Sequence, residues 1–267
     1  MESTFLKSEV GDGPLVACAI HAGHGVREEL GRLMRLDERQ RQYEEDPFTD
    51  GWTSIAPTRI IVGHSRFEVD LNRPRDKAVY LQPEDAWGLD VWKSRPDQEL
   101  VDQSLASYDV FYAQWRDLLD RLVARHRRVV VFDLHSYNHR REGPAGPAAD
   151  PDQNPEINLG TRTMDRRRWA RMVDRVLAEL REAKYLDRHL DVRENVKFFG
   201  GHMAAWSHQT YPESVCVLSV EAKKIFMDEW TGALDEPRYR AIGEALRRAA
   251  AGVLDELENW DRASIAT

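Results

Sequence analysis

Three short, mostly apolar runs interrupt a polar chain: Leu15 to Ile20, Val129 to Leu134 and Val215 to Val220. Each ends on a chemically capable side chain, respectively His21, His135 and Glu221. Runs of this length, rich in β-branched residues and with little polar alternation, predict strands covered on both faces, as in a sheet between two layers of helices. Helical spacing of three and four then recurs in three places. Between Tyr108 and His126 the stripe is Phe111, Trp115, Leu118, Leu119 and Leu122. Between Arg167 and Arg181 it is Trp169, Met172, Val173, Val176, Leu177 and Leu180, and from about Pro237 to Trp260 it is Ile242, Leu246, Val253, Leu254 and Leu257. Such stripes face a core. The expected fold class is α/β, a three-layer sandwich around a central sheet.

The segment 138–165 has a different texture. Gly143-Pro144-Ala145-Gly146-Pro147 is followed by Asp-Pro and Asn-Pro pairs, all of which favour turns or extended chain. A long loop directly after a strand that ends in His135 reads as a lid or pocket wall. With no linker and no internal repeat, residues 1–267 are expected to form one domain.

Charge narrows the partners. A formal net charge of −8 leaves no broad basic surface for phosphates, so nucleic acid is not the expected partner. The N-terminus has neither a basic nor a continuous apolar region, and no segment approaches the roughly 20 apolar residues that span a bilayer. A cytoplasmic protein with no membrane partner is expected, and nothing in the residue types specifies an oligomeric state. Cys18 and Cys216 sit inside apolar runs and are expected to be buried free thiols.

In parallel-rich sheets, ligands gather at the carboxyl ends of strands. His21, His135 and Glu221 would share such a crevice. Two imidazoles can hold a zinc-type ion, and a nearby carboxylate can shuttle protons. If a helix begins at His21-Ala-Gly-His24, positions 21 and 24 lie on one face, which makes His24 a further ligand candidate. Asp133, two residues before His135, shares its strand face and is expected to support that histidine. The acidic stretch 44–50 could supply one more carboxylate.

Ser65 to Pro74 concentrates Arg66, Glu68, Asp70, Asn72 and Arg73. Arginine grips carboxylates through a planar pair of donors and asparagine adds an oriented amide, so Asn72 and Arg73 suit a small substrate carrying a carboxylate. An ion pair of Arg66 or Arg73 with Asp70 or Glu68, stabilising a turn, is an equal alternative. Phe198-Phe199-Gly200-Gly201-His202 resembles a strand entering a flexible turn, where His202 could touch substrate or simply occupy a loop.

Together these segments resemble the N-formylglutamate amidohydrolase family, distantly similar to aspartoacylases and zinc carboxypeptidases. The resemblance runs through His21-Ala-Gly, Ser65-Arg-Phe, Asp70-Leu-Asn-Arg-Pro74, Asp133-Leu-His-Ser136, Asn158-Leu-Gly-Thr161, Gly200-Gly-His202 and the strand ending in Glu221. It implies a zinc-exopeptidase-like fold with a mixed, largely parallel sheet, and hydrolysis of an N-acyl amino acid with one zinc ion. It further implies His21 and His135 as zinc ligands, Glu221 as the carboxylate that activates water and later protonates the leaving amine, and Arg66 as the group that polarises the scissile carbonyl. Asn72 and Arg73 would hold a substrate carboxylate. The third ligand stays open: the exopeptidases carry glutamate where this chain has His24, and Asp50 lies where the amidohydrolases keep an acidic residue. A metallocarboxypeptidase or amidase acting on a larger substrate, and a non-catalytic ligand-binding homologue, are the alternatives.

Overall fold

The apolar runs at 15, 129 and 215 become adjacent strands of one sheet in the computed structural model, which describes residues 4–265. In chain order the first half forms β1 (Leu6–Glu9), β2 (Leu15–Ala19), α1 (Glu28–Leu33), α2 (Glu38–Glu44), α3 (Thr49–Trp52), β3 (Thr58–Val62), α4 (Gln98–His126) and β4 (Val129–Tyr137). The second half forms β5 (Ile157–Gly160), α5 (Ala170–Glu182), the short pair β6 (Lys184–Tyr185) and β7 (Arg188–His189), β8 (Val192–Glu194), α6 (His202–Thr210), β9 (Val215–Lys223) and α7 (Glu236–Ile265). The central sheet runs β1-β3-β2-β4-β9-β5-β8. β2 is parallel to β3 and β4, β4 to β9, and β5 to β8, while β1 and β5 join their neighbours β3 and β9 antiparallel. This is the expected mixed, largely parallel arrangement.

Strand alternation sorts the apolar side chains to two faces. Val16, Cys18, Val129, Val131, Val215 and Val217 lie under α4, against Phe111, Trp115, Leu118, Leu119 and Leu122, with Met203 and Ala204 of α6 alongside. Leu15, Ala17, Val130, Phe132, Cys216 and Leu218 face α5 and α7, where Met172, Val173, Val176, Ile242 and Leu246 close the opposite layer. Each fully buried Val, Leu, Ile, Phe or Met side chain among them contributes about 1.5–3 kcal/mol. Both cysteines are buried and free. No helix among the described residues is long and apolar enough to cross a membrane.

The elements depart from the pattern where capping or pairing decides. α4 starts ten residues before the expected Tyr108, because the Asp97 side chain accepts the Leu100 N–H at 3.0 Å and caps it. Within α7 the predicted stripe residue Leu254 instead faces solvent. The segment 138–165 is not loop throughout, since residues 157–160 form β5 on the open edge of β9. The expected strand at Phe198-Phe199 is absent, and the chain there is held by the Arg162 N–H on the Phe199 carbonyl at 2.9 Å and by the Asn158 side chain. Asn158 Oδ1 accepts the N–H groups of Val196 and Lys197 at 3.0 and 2.9 Å, and its Nδ2 donates to the Phe198 carbonyl at 2.8 Å.

Candidate active site

On β4 the face that buries Val129 and Val131 continues to Asp133 and His135, and on β9 the face of Val215 and Val217 continues to Ser219 and Glu221. Parallel register sets His135 directly beside Glu221. His21 follows the end of β2, and its ring centre lies 4.9 Å from that of His135. The chain after α2 delivers the third member. The Asp46 N–H donates to the His21 carbonyl at 2.9 Å, and the Asp46 carboxylate reaches both rings. Its Oδ2 lies 2.9 Å from His135 Nδ1 and 3.6 Å from His21 Nδ1.

The far side of each ring faces another carboxylate. His21 Nε2 donates to Asp70 Oδ1 at 2.7 Å, and His135 Nε2 lies 2.9 Å from Asp133 Oδ1. Neither Asp133 oxygen has a hydrogen-bond partner, so this buried carboxylate is held through the charge of the ring beside it. Burial would raise the Asp46 carboxyl, yet the hydrogen bond from His135 and the pull of both imidazole rings outweigh it and hold it well below the usual range. Burial would also strip the proton from His135, but Asp133 and then Glu221 keep its pKa well above the ordinary value. Glu221 lacks such close support, and burial pushes its carboxyl up to about 7.

One ligand atom from each of His21, Asp46 and His135 falls within 4.8 Å of the others. Two imidazole nitrogens converging on one carboxylate, each ring backed by a second carboxylate, is the donor set that a zinc-type ion takes, and it fits. These residues and Glu221 open on a cavity of about 300 Å³. Arg66 and Arg73 line it too, their guanidiniums 4.8 and 5.8 Å from the Trp87 ring centre. The Arg66–Asp70 ion pair allowed by the sequence forms at 2.8 Å, while Arg73 comes no closer than 3.9 Å to Asp70. Asn72 Oδ1 accepts the Met203 N–H at 3.1 Å, and its Nδ2 faces His135 Nε2 at 3.5 Å.

Three sequence candidates are not brought to this cluster. No helix starts at His21. Gly23 packs so closely on Gly63 that an added Cβ would lie 2.2 Å from its carbonyl carbon, and residues 23–25 run beside 63–65 instead. His24 therefore turns to Glu45, with Nδ1 2.5 Å from Oε2. Asp50 is exposed in the first turn of α3. His202 opens α6 with its ring 5.8 Å from that of Tyr112, while its neighbours Gly200 and Gly201 line the cavity. Sequence reasoning passed over Asp46 in favour of Asp50, although the Asp46-Pro47 pair carried a signal: the residue before proline is pushed to extended backbone, which ends the α2 segment there. It also missed Trp87, Arg141 and Lys224 in the cavity wall.

Comparisons with known proteins give the fold and the family. A search of curated protein sequences gives no match. Among solved structures, an N-formylglutamate amidohydrolase from Ralstonia eutropha JMP134 superposes with a TM-score of 0.74 at 17% identity, covering 98% of this chain and all of that one. A gene product of Agrobacterium tumefaciens gives 0.67 at 18% identity, covering 96% and 97%. The family model described as N-formylglutamate amidohydrolase matches residues 13–226, a span that holds every member of the cluster. The chain belongs to the N-formylglutamate amidohydrolase family.

Proposed function

We propose that this chain is a metal-dependent amidohydrolase that hydrolyses an N-acyl amino acid to the free amino acid and a small carboxylate, foremost N-formyl-L-glutamate to glutamate and formate. The observation that carries the reading is the His21–Asp46–His135 cluster opening on the same cavity as Glu221 and Arg66. His21, Asp46 and His135 would hold one zinc-type ion, which when bound supplies a Lewis acid that polarises a carbonyl and acidifies water. Glu221 takes the proton from the attacking water and returns it to the leaving nitrogen, and a carboxyl near 7 suits both halves of that task.

Arg66 is oriented by Asp70 and by the Trp87 ring, and takes the oxygen on which negative charge develops. Arg73, without a close carboxylate, accepts the substrate's carboxylate, assisted by the Asn72 amide. His202, next in the chain to the lining residues Gly200 and Gly201, adds a further group for substrate contact. A cavity of about 300 Å³ favours a small acyl amino acid over a larger amide. The test is formate release from N-formyl-L-glutamate by zinc-loaded protein. Glu221→Gln should retain zinc and lower kcat by about 100-fold or more. Zinc-loaded protein that releases no formate contradicts the assignment.

A further inference from the structure

Lys224 is 1% exposed and lines the catalytic cavity three residues after Glu221. A buried ammonium is costly unless it is paired or hydrogen-bonded. Among the described residues no carboxylate forms an ion pair with it. Its Nζ instead donates to two backbone carbonyls, those of Tyr43 at 2.6 Å and Glu45 at 2.8 Å. The Tyr43 carbonyl also takes the Asn138 amide at 2.7 Å. The Lys224 backbone N–H bonds to the Tyr137 carbonyl at 3.0 Å, so the root of the lysine is tied to the end of β4 beside β9.

The Glu45 carbonyl belongs to the peptide group that leads into Asp46. That group is planar and stiff, so fixing its two ends fixes its orientation. Lys224 holds the oxygen end, and the His21 carbonyl holds the nitrogen end through the Asp46 N–H at 2.9 Å. Asp46 thereby leaves this peptide with its carboxylate aimed between His21 and His135. We propose that Lys224 is a positioning residue: it locks the Glu45–Asp46 peptide so that Asp46 is preorganised as a metal ligand. This rests on the metal-site reading above and adds to it the group that tethers the ligand loop to the catalytic strands.

The test is zinc affinity by chelator competition on the full chain, for wild type, Lys224→Met and Lys224→Gln. Methionine keeps the apolar stem and removes every donor, and should weaken zinc binding by about 10- to 100-fold, as loss of ligand support does. Glutamine restores N–H donors and should recover part of that loss. The kcat of Lys224→Met should fall at limiting zinc and return with excess zinc, with KM for N-formyl-L-glutamate changed by less than about twofold. Val176→Ala, a distant core substitution, should lower Tm without moving zinc affinity. If Lys224→Met fails to fold, Lys224→Gln is read by the same criterion. Zinc bound as tightly by the variants as by a zinc-binding wild type overturns the inference alone. A wild type that binds no zinc overturns the metal-site reading, and this inference with it.

Discussion

His21 donates a hydrogen bond from Nε2 to Asp70 across 2.7 Å, and that bond sets which nitrogen faces Asp46. Burial would raise the Asp70 carboxyl, but Arg66 and then His21 hold it well below its ordinary value. The same carboxylate accepts the Asn72 N–H at 2.8 Å and the Tyr80 hydroxyl. An ionised carboxylate can only accept, so Nε2 carries the hydrogen and Nδ1 is turned to the cluster. One aspartate thus orients a histidine on one side and an arginine on the other.

Asp70→Asn should therefore damage two things together. Removing the charge leaves Arg66 buried without its partner, which should cost about 3–5 kcal/mol in urea unfolding. Zinc affinity should fall by about 10- to 100-fold as His21 loses its orienting acceptor. Unchanged zinc affinity in chelator competition would show that His21 is positioned by something else.

Gly201 is required by packing against Asn72. A Cβ there would lie 2.2 Å from Asn72 Oδ1, the atom that accepts the Met203 N–H at the start of α6. Gly201→Ala should cost about 1–3 kcal/mol and displace Asn72 from the cavity wall. A displacement of that kind should lower kcat/KM by about tenfold or more. Gly31, in α1, has nothing within 4 Å of an added Cβ, so Gly31→Ala should add about 0.5–1 kcal/mol and leave activity alone. Equal effects at the two positions would refute the packing argument.

His208 supplies a pH dependence away from the metal site. It accepts the Val217 N–H at Nε2, 2.9 Å away, and donates a hydrogen bond from Nδ1 to the Thr163 hydroxyl at 3.0 Å, so the fold needs the neutral ring. Burial pulls its pKa from 6.5 to about 4. Above pH 6.5 both folded and unfolded chains carry the neutral ring. Between 6.5 and 4 only the unfolded chain takes the proton, so stability falls as pH drops through this window, and below it this group causes no further loss. Urea midpoints measured from pH 7 to 4.5 should fall less steeply for His208→Gln than for wild type, by at most about 1.4 kcal/mol per pH unit. Parallel slopes would exclude His208 as the source.

Apolar continuity made β2, β4 and β9 readable, and their polar ends carried His21, His135 and Glu221 into view. Short-range pattern could not show β5, because its four residues are a strand only through pairing with β9 and β8. The ligand loop was harder still. Asp46 and Asp50 share one acidic stretch, and what separates them is tertiary: Asp46 is tied to the His21 carbonyl, while Asp50 faces water in α3. His24 depends on tertiary structure in the same way, since the close approach of Gly23 to Gly63 replaces the helix that would put positions 21 and 24 on one face.

The central claim, that Asp46 completes the metal site with His21 and His135, is tested most directly by elemental analysis of zinc-loaded wild type and of His21→Ala, Asp46→Ala, His24→Ala and Asp50→Ala. The account predicts one zinc per chain in wild type, His24→Ala and Asp50→Ala, and its loss in His21→Ala and Asp46→Ala. A full zinc complement in Asp46→Ala, with loss in His24→Ala or Asp50→Ala, would contradict it.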